Sequence, residues 1–106
     1  MFGQELAHQI MKFSHSDKIR ISEHVLSQEV SGETVLLDLT SEEYFGLDPI
    51  ATRIWQLLND QKSIGVVIEE IILEYDVSRD QLEKDIAKLL EQLLQTGLIE
   101  LQPEAV

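Results

Sequence analysis

Apolar and polar residues change their rhythm twice along this chain. From residue 1 to 18 the apolar positions Phe2, Leu6, Ile10 and Phe13 recur at helical spacing, until Ser14-His15-Ser16-Asp17 interrupts them. This segment reads as an N-terminal arm or short helix ahead of the main domain. From 19 to 47 the period shortens to that of strands. Ile19 and Ile21 alternate with polar neighbours and Val25-Leu26 follow. A Ser31-Gly32 turn then leads into Thr34-Val35-Leu36-Leu37-Asp38-Leu39. Thr40-Ser41-Glu42 marks a second turn, and Glu43-Tyr44-Phe45-Gly46-Leu47 forms a short third strand. Short turns between strands imply an antiparallel meander.

From Asp48 onward the period becomes helical. Asp48 can cap and Pro49 suits the first helical position, with Ile50, Ile54, Leu57 and Leu58 forming the apolar stripe. Ser63 caps a second helix bearing Ile64, Val67, Ile68, Ile71 and Ile72. Ser78 opens a third, over about 79–96, closed by Gly97 as a left-handed cap. Leu98-Ile99-Glu100-Leu101 suggests a last strand. The fold class is α+β: a three-stranded antiparallel sheet followed by a three-helix, winged helix-turn-helix-like bundle. Residues 19–101 make one domain and 102–106 a tail.

Composition narrows the function. With 106 residues there is room for one domain, and no cysteine is present for a disulfide or a thiolate metal site. No stretch is long and apolar enough to span a bilayer, and the first residues lack the pattern of a secretion signal, so a cytoplasmic protein is expected. The net charge is −12, and the 8 basic residues are scattered, which argues against nucleic acid or anionic membrane as partner. The acidity is accounted for by solubility, or by a basic partner peptide.

Chemistry-bearing patterns are absent. His8, His15 and His24 show no metal-ligand spacing, and surface positions explain them. The five glycines are isolated, so no phosphate-cradling loop forms, and no nucleophile elbow exists. No cofactor and no catalytic residue is expected.

Two features remain. The strand Glu43–Leu47 ends its meander, so one main-chain edge should lack a strand partner. Glu42, Glu43 and the strand's brevity would guard such an edge against aggregation. Alternatively the edge is kept for a guest peptide, with Gly46 allowing close backbone approach. The second feature is the third helix, whose stripe Leu82, Ile86, Leu89 and Leu93 is expected in the core. A further stripe, Ala87, Leu90 and Leu94, is expected to cover the other helices. Lys84, Asp85 and Lys88, beside Leu89, would then wall a groove along the strand.

Taken together, Val35-Leu36-Leu37-Asp38-Leu39, Glu43-Tyr44-Phe45-Gly46-Leu47-Asp48 and Ala51-x-x-Ile54-Trp55-x-Leu57-Leu58 resemble the PqqD-like family. So do Tyr75-Asp76-Val77 and the Asp85…Leu90…Leu93…Gly97-Leu98-Ile99 ending. The resemblance spans about residues 19–101. It implies a recognition element for ribosomally made, modified peptides. The leader of a precursor peptide would bind as an added antiparallel strand against the third helix. A separate maturation enzyme (leader protease, cyclase or radical enzyme) would receive it. The strand contributors would be Glu43, Tyr44, Phe45, Gly46 and Leu47, and the helix contributors Lys84, Asp85, Lys88 and Leu89. Phe45 and Gly97-Leu98 look closer to the stand-alone partners of lasso-peptide leader proteases than to members serving pyrroloquinoline quinone synthesis.

Two other readings compete. A winged-helix DNA-binding regulator would use its third helix in the major groove, yet Arg79, Lys84 and Lys88 there face Asp80, Glu83, Asp85 and Glu91, a net of −1. A dimerisation or scaffolding module would use the surplus apolar stripe and the N-terminal arm.

Overall fold

The computed structural model describes residues 13–102; the expectations for residues 1–12 and 103–106 lie outside them. In chain order the elements are β1 (Lys18–Ile21), β2 (Val25–Val30), β3 (Glu33–Asp38), β4 (Tyr44–Leu47), α1 (Pro49–Asn59), α2 (Ile64–Glu74), α3 (Arg79–Gln95) and β5 (Ile99–Gln102). Strands β2, β3 and β4 form the antiparallel three-stranded sheet in that order. Ser31 (φ 54°) and Gly32 (φ 83°) join β2 to β3, and their paired positive dihedrals are those of a two-residue type I′ turn.

One stretch divides differently from its sequence pattern. Ile19-Ile21 and Val25-Leu26 belong to separate strands in separate sheets, because β1 leaves the meander and pairs with β5, Ile19 opposite Leu101 and Ile21 opposite Ile99. Ser22 makes the break. Its N–H donates to the Leu98 carbonyl at 3.0 Å and its hydroxyl to the Gly97 carbonyl at 2.7 Å. These bonds hold the chain beside the end of α3 before it turns into β2.

The helices start where short polar side chains can satisfy free N–H groups. Asp48 accepts from Ala51 N–H at 2.8 Å, Ser63 from Val66 at 3.4 Å and Ser78 from Gln81 at 3.2 Å. Gly97 (φ 77°) ends α3 in the left-handed region. Arg53 donates to both carboxylate oxygens of Glu74, at 2.8 and 2.9 Å, and ties α1 to α2. Those bonds hold the Glu74 carboxyl below its ordinary range.

The core lies between the sheet and the helices. Leu36 and Leu47 meet Ile54, Trp55, Leu57 and Leu58 of α1, Val67, Ile68 and Ile71 of α2, and Leu82, Ile86, Leu90 and Leu93 of α3. On α3 the stripe is therefore shifted from expectation: Leu90 is fully buried and Leu89 only half-buried. Positions 82, 86, 90 and 93 share an arc of roughly 80° at 100° per residue. Leu89 falls just outside that arc, on the side facing β4. Among the described residues no helix is long and apolar enough to cross a membrane.

Candidate functional site: an open strand edge beside a helix

The site begins with hydrogen-bond bookkeeping on β4. In an antiparallel pair, residues alternate between exchanging main-chain bonds with the partner and pointing those groups away from it. Asp38 N–H donates to the Glu43 carbonyl at 2.9 Å, and the register then sets Leu36 opposite Phe45 and Thr34 opposite Leu47. Those pairs bond inward to β3. The N–H and C=O of Tyr44 and Gly46 consequently point outward, and among the described residues no strand pairs with that side.

Side chains alternate the other way, up and down. Phe45 and Leu47 share the face of buried Leu36 and Thr34, toward the helices. Tyr44 lies on the opposite face in a cross-strand row with Leu37 and Leu26, and is 74% exposed. A Cβ added at Gly46 would meet no heavy atom within 4 Å, so nothing nearby in the fold requires glycine there. The position leaves clear space along the edge.

Beneath the edge runs a groove of about 440 Å³. Phe45, Gly46 and Leu47 form its strand wall, Ile50, Ala51 and Ile54 of α1 its floor, and Asp85, Lys88, Leu89 and Gln92 of α3 its far wall, with Asp48 at one end. The spacing of the α3 residues explains their common face, since i, i+3, i+4 and i+7 stack on one side of a helix. The apolar floor can bury a guest side chain, and Asp85 and Lys88 offer one charge of each sign on the rim.

The structure thus brings Phe45, Gly46, Leu47, Asp85, Lys88 and Leu89 together around one groove. Glu43 lies just before β4 and bonds Asp38 through its carbonyl. Tyr44 contributes outward main-chain groups while its ring faces away. Lys84 is exposed and does not line the groove. Sequence reasoning missed Asp48, Ile50, Ala51, Ile54 and Gln92. The pattern reads Asp48 as a cap and Ile50 and Ile54 as core stripe, and Ala51 enters it only through the family motif; Ile50, at the margin of its stripe, is the available signal.

The turn that delivers β4 is held by Asp38, whose Oδ1 accepts from the N–H of Thr40 at 2.9 Å and of Ser41 at 3.4 Å. The Thr40 N–H is the main reason its carboxyl sits below the ordinary range. His24 Nε2 lies 3.7 Å from the same oxygen, and His15 Nε2 lies 3.3 Å from Glu83 Oε1. His8 is outside the described residues. No group of three or more candidate metal ligands occurs among the described residues.

Fold and groove together define a winged-helix-like α+β domain whose outer strand edge, unpaired among the described residues, is set against a helix. Residues 33–99 match the family of coenzyme PQQ synthesis protein D (PqqD). The chain belongs to the PqqD family. Two solved structures resemble it. TbiB1 in complex with the TbiA(beta) leader peptide is 38% identical, covering 76% of this chain and 94% of that one, with a TM-score of 0.72. A lasso peptide synthetase B1 complexed with the leader peptide is 32% identical, covering 78% and 98%, also with a TM-score of 0.72. No curated protein matches the chain.

Proposed function

We propose that this protein is a non-catalytic adaptor. It takes the leader of a ribosomally made precursor peptide as an added strand on β4 and presents it to a separate maturation enzyme. The observation that carries this reading is the outward main-chain edge of Tyr44 and Gly46 above the groove. Both solved relatives are complexes with a leader peptide, and one of them is a lasso peptide synthetase B1. Nothing in the task requires chemistry from the adaptor, because pairing and burial do the work and the enzyme does the reaction. A cytoplasmic setting, where precursors are synthesised, fits this role.

The energetics are adequate. About four main-chain bonds, each worth roughly 1 kcal/mol net, combine with two apolar anchors worth about 1.5–3 kcal/mol each. Ordering the leader costs on the order of 2–5 kcal/mol, besides lost rigid-body freedom. Affinities from micromolar to tens of nanomolar follow, with the groove anchors dominating specificity. An antiparallel guest would run from the Leu47 end of β4 to the Glu43 end.

Presentation needs a second surface. The sheet face turned away from the helices exposes Leu26, Val30, Val35, Leu39 and Tyr44. That apolar face suits the maturation enzyme, since among the described residues it lies open on the side away from the groove. DNA binding is disfavoured by α3 itself, whose groove wall pairs Asp85 with Lys88 instead of offering a basic strip.

The test is a titration of isotope-labelled protein with candidate precursor leader peptides. The amides of Tyr44 and Gly46 and of Asp85–Gln92 on α3 are expected to shift together. Shifts confined to other surfaces would overturn strand addition.

A further inference from the structure

A second, smaller cavity of about 130 Å³ continues the groove past Phe45, which lines both. Phe45 and Leu98 supply its apolar lining, Tyr44 also borders it, and exposed Ser41, Glu43 and Thr96 surround buried Asp38. The large groove is walled by Asp85–Gln92 and the small cavity by Thr96 and Leu98, so α3 runs opposite to β4. An antiparallel guest on β4 directs alternate side chains toward the helices, at the positions opposite Leu47, Phe45 and Glu43. The first of these enters the large groove and the second crosses the Phe45 ring. The third, further toward the guest's C-terminus, reaches the small cavity.

The two ends of this track differ in charge. The Leu47 end has Asp48 and Asp85 but also Lys88. The Glu43 end has Asp38 and Glu43 and no Lys or Arg in its lining. The last turn of α3 carries no basic residue, and its Gln92 and Leu93 carbonyls accept from the Thr96 hydroxyl and from following N–H groups. The Asp38 carboxylate there accepts from the Thr40 and Ser41 N–H groups and lies 3.7 Å from His24 Nε2. Apolar walls with an acidic rim match an amphipathic cation, whose stem is buried while its charged tip stays at the mouth.

Resting on the strand-addition reading, we propose that this cavity is a specificity pocket for a Lys or Arg of the guest, set opposite Glu43. That residue lies four positions C-terminal to the apolar anchor opposite Leu47, and Glu43 is the specificity-determining residue. The cavity is the size of one side chain and continuous with the proposed peptide track, and charge complementarity selects the occupant.

A phage-displayed random peptide library, selected in parallel on the full-length protein and on its Glu43→Lys variant, tests this. Selected peptides are first sorted by whether they shift the Tyr44 and Gly46 amides. Among those that do, Lys or Arg should be enriched four residues after the apolar anchor, and Glu43→Lys should replace that preference with Asp or Glu. Replacing the basic residue by norleucine, which keeps the stem and removes the charge, should weaken binding about tenfold, and less so at high salt. No charge preference at that position, or the same preference on the variant, would overturn the pocket and leave strand addition standing. If no selected peptide shifts Tyr44 and Gly46, strand addition itself fails and the pocket with it.

Discussion

The three-stranded sheet has two outer edges, and they differ in what lies beneath them. On β4, Tyr44 and Gly46 turn their main-chain groups outward above a groove floored by α1 and walled by α3. On β2, the same alternation turns Ser27 and Glu29 outward, while the Val25 N–H is taken by the Ser22 carbonyl at 3.3 Å, and the strand is exposed almost throughout. Its underside is occupied at Glu29, which accepts from the Gln56 amide at 2.7 Å. Free backbone groups alone therefore do not distinguish a docking edge. A neighbouring helix set back far enough to admit side chains does, because main-chain pairing supplies little sequence preference and apolar burial supplies most of the rest.

The sharpest way to break the comparison is a matched pair of prolines. Gly46→Pro removes an outward N–H and places a ring where the guest strand must lie, so leader affinity should fall by about 100-fold in a calorimetric titration. Ser27→Pro does the same to the β2 edge and should leave affinity within about twofold, since edge strands tolerate proline on their solvent side. Equal losses would show that the β4 edge has no special standing.

A second pair separates the groove from the sheet's outer face. Leu89→Asp puts a carboxylate into the groove wall and should weaken leader binding by about 30-fold, read by fluorescence anisotropy. Leu26→Asp, on the far face, should barely change leader affinity but should slow handover to the maturation enzyme in a coupled assay. A loss of leader affinity on Leu26→Asp would place the guest elsewhere.

The smallest contrast lies along α3. Lys88→Glu alters the rim and should change affinity by about threefold for a leader carrying a nearby charge. Lys84→Glu, outside the groove lining, should leave it unchanged. Both are read by titration at low and high salt. A larger effect at Lys84 would mean that the leader extends beyond the groove toward the start of α3.

Much of this protein was legible in its residues because the relevant forces are local. Asp48, Ser63 and Ser78 announced the helix starts, since a short acceptor beside free N–H groups acts within one turn. Ser31-Gly32 announced the hairpin through the dihedrals it permits. Strand alternation put neighbouring Tyr44 and Phe45 on opposite faces of β4 without telling which of them meets the helices. Choices between distant partners needed the folded chain. Ile19 and Ile21 look like the start of β2, and only the approach of β5 after α3 draws them into a second sheet. Leu89 and Leu90 are identical in type and adjacent, so periodicity could not say which would be buried. The rotational setting in which α3 packs on its neighbours sent Leu90 inward and left Leu89 facing β4. The groove exists through that setting, a balance of packing among three helices and a sheet that no short stretch of sequence contains.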